Sequence, residues 1–188
     1  YKELGLLDSC FVFYIPVYNN MNASIDNSPN GGTGDNGSSS SPSSSAIGTI
    51  VSSAGYKMSG NEINGISPNT NISTVKANLE AIAGSGNVTI KNAKGSTVTS
   101  GTISTGYQIT IINSSETRTL TVVVYGDTSG DGVINALDLL QVQKSILGTY
   151  TLNDAYKEAG DPSKDGKINA LDLLQVQKSI LGTYTISQ

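Results

Sequence analysis

The chain has 188 residues and a net charge of −4, so it offers no basic stripe for a phosphate backbone, which argues against nucleic acid as a partner. It holds no His and one Cys, Cys10, which excludes an intrachain disulfide and any Ser–His or Cys–His pair. No apolar run is long enough to cross a bilayer. Stability must therefore come from core burial or from metal.

Residues 1–18 cluster Phe11, Phe13, Tyr14, Ile15 and Tyr18. Alternation over Phe11–Val17 predicts a strand with Pro16 near its edge. So short a segment cannot bury that strand alone, and it reads as the C-terminal remnant of an upstream domain. Cys10 fits there as a small buried hydrophobe. Residues 19–46 read as a linker. Asn27–Ser45 contains only Asn, Ser, Pro, Gly, Thr and Asp, a composition with no apolar surface to offset ordering entropy.

Residues 47–125 read as a small, β-rich α+β domain. Thr49–Ser53 and Gly55–Met58 predict strands. Ser73 can cap a helix over Thr74–Ala83, with Val75, Leu79 and Ile82 as its apolar stripe. Asn87–Lys91, Tyr107–Ile112 and Arg118–Val124 predict further strands. The acids of this stretch are Glu62, Glu80 and Glu116. Glycoside hydrolysis needs two carboxylates facing one bond, and three scattered Glu do not supply them. A structural spacer is the better reading.

Residues 126–188 carry the strongest signal. Ile134–Thr151 reads INALDLLQVQKSILGTYT and recurs letter for letter at Ile168–Thr185. Each copy follows an Asp/Gly loop, DTSGDG at Asp127–Gly132 and DPSKDG at Asp161–Gly166. Six of the chain's 15 acids lie in the twelve-residue stretches that these loops open, Asp127–Asp138 and Asp161–Asp172. Calcium takes six to eight oxygens, and twelve-residue loops supply them from positions 1, 3, 5, 7 and 12 with Gly at 6. The first loop fits with Asp127, Ser129, Asp131, the Val133 carbonyl and Asp138. The second fits with Asp161, Ser163, Asp165, the Lys167 carbonyl and Asp172. Asp stands at position 12 in place of the longer Glu, so the helix must approach the ion more closely. Ser at position 3 supplies a neutral hydroxyl. The pattern implies two calcium ions.

Helices are predicted from near Ala136 to Leu147–Gly148 and from near Ala170 to Leu181–Gly182. Leu139, Val142 and Ile146, widened by Leu140 and Leu147, form the face that should pack the helices together. Ala136, Leu137, Gln141, Lys144 and Ser145 project elsewhere, as do Ala170, Leu171, Gln175, Lys178 and Ser179. Core packing alone does not require these outward residues to be duplicated. Asn153 should cap a short helix to Ala159, and Tyr125 and Tyr184 could stack to clasp the ends of the module.

This repeat resembles type I dockerins, calcium-dependent tags that dock secreted enzymes onto cohesin domains. The resemblance covers about 60 residues, with both loops and a loop-then-helix (F-hand) order. It implies a multi-domain chain: the α+β domain followed by an all-α, duplicated F-hand module. It also implies that the ten outward residues form the partner face toward a cohesin-type domain of a scaffold protein. Ala-Leu replaces the Ser-Thr pair of other dockerins, which implies a hydrophobic anchor and a different cohesin. Phe13–Met21 (FYIPVYNNM) resembles the closing strand of clostridial glucosaminidase-type cell-wall hydrolases. The fragment then reads as the non-catalytic C-terminal part of a bacterial glycoside hydrolase. It would be extracellular or at the cell surface, and monomeric when unbound. The alternative reading is a calcium-stabilised structural tail with no cohesin partner.

Overall fold

The computed structural model describes residues 45–188. The expected strand Phe11–Val17, Cys10 and nearly all of the Gly/Ser segment lie outside the described residues. All described residues belong to one compact unit. No helix among them is long and apolar enough to cross a membrane.

Helix α1 (Ala46–Ser53) forms where the β-branched run Thr49–Val51 predicts a strand. Ser45 overrides that propensity, its Oγ accepting the Gly48 amide at 3.0 Å to start the helix. Ile47, Ile50 and Val51 then share one face, and all three are buried. Gly55, at φ 86°, turns the chain toward β1 (Lys57–Ser59). β1 pairs antiparallel with β2 (Glu62–Asn64) across the tight Gly60–Asn61 turn.

Helix α2 (Ile72–Ala83) starts two residues earlier than predicted. Its N-cap is Asn71, in an extended conformation, and not Ser73. Ile72, Val75 and Leu79 are its buried stripe, whereas Ile82 is 48 % exposed. Strands β3 (Val88–Lys91), β4 (Gln108–Ile112) and β5 (Thr117–Val122) form close to their predicted places. The five strands make one sheet in the order β1-β2-β5-β4-β3, with β2 and β5 parallel and the other neighbours antiparallel. Alternation puts Ile109 and Ile111 of β4 and Leu120 and Val122 of β5 into a core with the stripes of α1 and α2. This mixed sheet fits the expected small α+β architecture.

The chain leaves the sheet through Val122–Tyr125. Val122 and Val124 enter the sheet's core, while Val123 and Tyr125 enter a second core with Val142, Ala155, Ala159, Val176 and Ile186. Four consecutive residues, alternating by the period of an extended chain, thus join two cores. Helices α3 (Ala136–Ile146), α4 (Asp154–Ala159) and α5 (Ala170–Ile180) follow.

The expectation of an all-α, duplicated F-hand module does not hold. Helices cover fewer than half of residues 126–188, because Gly148 and Gly182 (φ 69° and 68°) turn the chain after α3 and α5 and both Asp/Gly loops are irregular. The second core also needs two residues of the extended 122–125 segment. The two loops are approached differently as well: the first from that extended segment, the second from α4. Helix α4 before the second loop has no counterpart before the first, so residues 126–188 are not a plain duplication of one F-hand.

The expected interhelical face is also narrower. Val142 and Val176 are fully buried and Leu139 and Leu173 pack beside them, but Ile146, Leu140 and Leu147 are 39 %, 43 % and 67 % exposed. Tyr125 does not stack with Tyr184. Its ring lies beneath the Lys164 ammonium at 4.1 Å, and its backbone N–H and C=O bond the Gln188 side chain at 2.7 and 3.0 Å.

Candidate metal centre

Each loop is shaped by its own carboxylates. In the first, Asp127 Oδ1 accepts the Gly130 and Asp131 amides at 2.8 and 3.1 Å, and Oδ2 accepts the Gly132 amide at 3.1 Å. Gly132, at φ 81°, adopts the left-handed turn that position 6 requires. Asp138 reaches back from the first turn of α3, accepting the Ser129 amide through Oδ1 and the Asn135 amide through Oδ2, each at 2.8 Å. Asp131 accepts the Val133 amide and the Asn135 Nδ2, each at 2.9 Å.

The second loop repeats this framework. Asp161 accepts from the Asp165 and Gly166 amides and from Ser163 Oγ. Asp172 accepts from Ser163 and Asn169, and Asp165 from Lys167 and Asn169 Nδ2. The Lys167 carbonyl accepts Asn169 Nδ2 at 3.4 Å.

Asp127, Asp131 and Asp138 bring carboxylate oxygens within 4.8 Å of one another, and Asp161, Asp165 and Asp172 do the same. At ~4 Å, two like charges repel by about 4 kcal/mol under an effective dielectric near 20. Among the described residues no Lys or Arg pairs with these carboxylates; the ion pair there is Lys76–Glu80. Burial pushes the Asp127 and Asp138 carboxyls above the usual range, against the hydrogen bonds that favour their charge. Ser129 Oγ is buried at the first cluster with no hydrogen-bond partner. Converging, partly desolvated oxygens, all hard donors, and an orphaned hydroxyl beside them suit a divalent cation of the calcium type.

The six carboxylates of the two loops converge in two clusters, and two Asn residues that the loop spacing does not single out brace them. Asn135 and Asn169 cap α3 and α5, accepting the Leu137 and Leu171 amides at 2.8 Å, while their Nδ2 groups hold Asp131 and Asp165. An Asn directly before an apolar helical run is the cap signal that could have found them.

The ten residues expected to face a partner lie on α3 and α5. Ala136, Leu137 and Lys144 are exposed, as are Ala170, Leu171 and Lys178. Gln141, Ser145, Gln175 and Ser179 are half-buried, and the Oε1 atoms of both Gln are buried without a partner.

Residues 125–181 match the family described as Dockerin type I domain. No curated protein and no solved structure matches the chain. The match spans both acidic loops and both long helices. The match supports a calcium-dependent docking module in general terms.

Proposed function

We propose that residues 126–188 dock the chain onto a cohesin-type domain of a scaffold protein, and that each loop holds one calcium ion. The ligands are Asp127, Ser129, Asp131, the Val133 carbonyl and Asp138 in the first loop. In the second they are Asp161, Ser163, Asp165, the Lys167 carbonyl and Asp172. Calcium, when bound, supplies the positive charge that lets three crowded carboxylates stay ionised. Asp138 and Asp172 sit in the first turns of α3 and α5, so ordering the loops also fixes the helices that carry the partner face.

One observation carries the docking surface. Among the described residues, ten of the twelve large exposed hydrophobics lie on α3, α5 and their C-terminal turns, in matched pairs. Leu137 and Leu171 are each 49 % exposed, and Leu147 and Leu181 each 67 %. A duplicated apolar surface left outside both cores supports a protein partner. The equal exposure of the two copies supports two binding modes related by a half turn. The face comprises Ala136, Leu137, Gln141, Lys144 and Ser145 with Ala170, Leu171, Gln175, Lys178 and Ser179.

In this reading residues 47–125 are a spacer, residues 19–46 a tether, and the parent protein a secreted or cell-surface polysaccharide- or peptidoglycan-degrading enzyme. Titrating the chain with calcium by calorimetry should give two ions bound. A pull-down with a panel of cohesin-type domains should capture it only when calcium is present. Two ions without capture by any cohesin would leave a calcium-stabilised structural tail.

A further inference from the structure

The two loops match at every proposed ligand position except the carbonyl donor at position 7, yet their surroundings differ. Thr105, in the turn before β4, donates its amide to Asp127 Oδ2 at 2.9 Å. Its hydroxyl also accepts the Val124 amide at 3.1 Å and donates to the Val124 carbonyl at 3.3 Å, so one residue holds both the crossing strand and the first ligand. The Asn69 amide donates to the Gly132 carbonyl at 2.8 Å. In the second loop Asp161 receives its hydrogen bonds from Ser163, Asp165 and Gly166, all of its own loop.

The position-6 glycines measure the same difference. Gly132 and Gly166 have φ of 81° and 83°, so a side chain would strain both backbones alike. A Cβ on Gly132 would lie 2.5 Å from the Ile103 carbonyl oxygen and 2.6 Å from Thr102 Cγ2, whereas a Cβ on Gly166 would meet nothing within 4 Å. The sheet-bearing part of the chain is seated directly on the first loop and leaves this side of the second open.

We propose that the segment before β4 is part of the first calcium centre. Thr105 is a positioning residue for Asp127, and filling the first loop clamps the sheet onto the repeats, while the second loop fills independently of the sheet. This rests on the reading of both loops as calcium sites. Its consequence is that two centres with the same side-chain ligands differ in affinity and in what they control. Occupancy of the first sets how rigidly the docking face is carried by the sheet.

The test is a calcium titration of the whole chain followed by NMR, with the Asp131 and Asp165 amides reporting each loop and Thr105 reporting the contact. In the natural sequence the Thr105 resonance should move together with Asp131, and hydrogen exchange in β4 and β5 should slow at the same calcium concentration. Gly166→Ala should weaken the second loop about tenfold through backbone strain alone. Gly132→Ala should weaken the first loop at least tenfold more than that, and calcium should no longer protect the sheet. If both loops fill while Thr105 stays still, or if the two alanine variants weaken their loops equally, the proposal is overturned. The Thr105 readout decides the matter should Gly132→Ala fail to fold. If neither Asp131 nor Asp165 responds to calcium, the calcium-site reading itself fails.

Discussion

Asp127 and Asp138 are fully buried, and desolvation pushes their carboxyls above the usual Asp range. A carboxyl raised by folding contributes most stability below its unfolded pKa, near 3.9, and that contribution is lost as pH rises through the folded value. In chelator, these two groups should therefore weaken the fold as they ionise. Calcium reverses the sign by favouring the ionised form. NMR titration of both carboxyls should give values above the ordinary range in chelator and below it with calcium; ordinary values in chelator would contradict this. The carboxylates themselves were legible from loop spacing. Thr105 was not, because it touches Asp127 through a backbone amide 22 residues away, and any residue but Pro carries that amide. On the outer surface, Leu137→Asp with Leu171→Asp should abolish partner binding without changing calcium stoichiometry, since neither side chain is buried.

Helices α3 and α5 begin with the same device, an Asn cap whose amide nitrogen also braces the position-5 Asp. Replacing Asn135 or Asn169 by Ala should cost about 1 kcal/mol of stability from the lost cap. It should also weaken calcium binding in that loop, because Asp131 or Asp165 loses its support. Calorimetry on each variant checks both effects, and unchanged affinity would show that the brace is dispensable. α1 shows where sequence reading stops. Its Thr-Ile-Val run has strand propensity, and the Ser45 cap together with burial of Ile47, Ile50 and Val51 outweighs it. The buried stripe of α3 and α5 is narrower than their periodicity for a related reason. Leu140, Ile146 and Leu147 have the spacing of a core face, but the small second core fills with Val142, Val176, Ala155 and Ala159 and leaves those larger residues outside. Periodicity reports that a face is apolar, and it does not say whether that face meets its own chain or a partner.

Across the whole molecule, Val122–Tyr125 threads two cores, and the Gln188 side chain closes the far end by bonding both backbone groups of Tyr125. Lys57 Nζ also donates to the Gln188 carbonyl at 2.6 Å, tying the C-terminal residue to β1. The sheet leaves the two copies of the apolar face equally exposed. Two modes of docking then remain open, so Leu137→Ala with Lys144→Ala, or Leu171→Ala with Lys178→Ala, should each retain binding while the fourfold variant loses it. Loss of binding from either pair alone would argue for a single mode. The most direct test of the account is the affinity of the chain for a panel of cohesin-type domains, measured first with calcium and then with excess chelator. The account predicts that at least one cohesin binds with calcium and that chelator abolishes the binding. Binding that survives chelation, or no binding while both loops hold calcium, would contradict it.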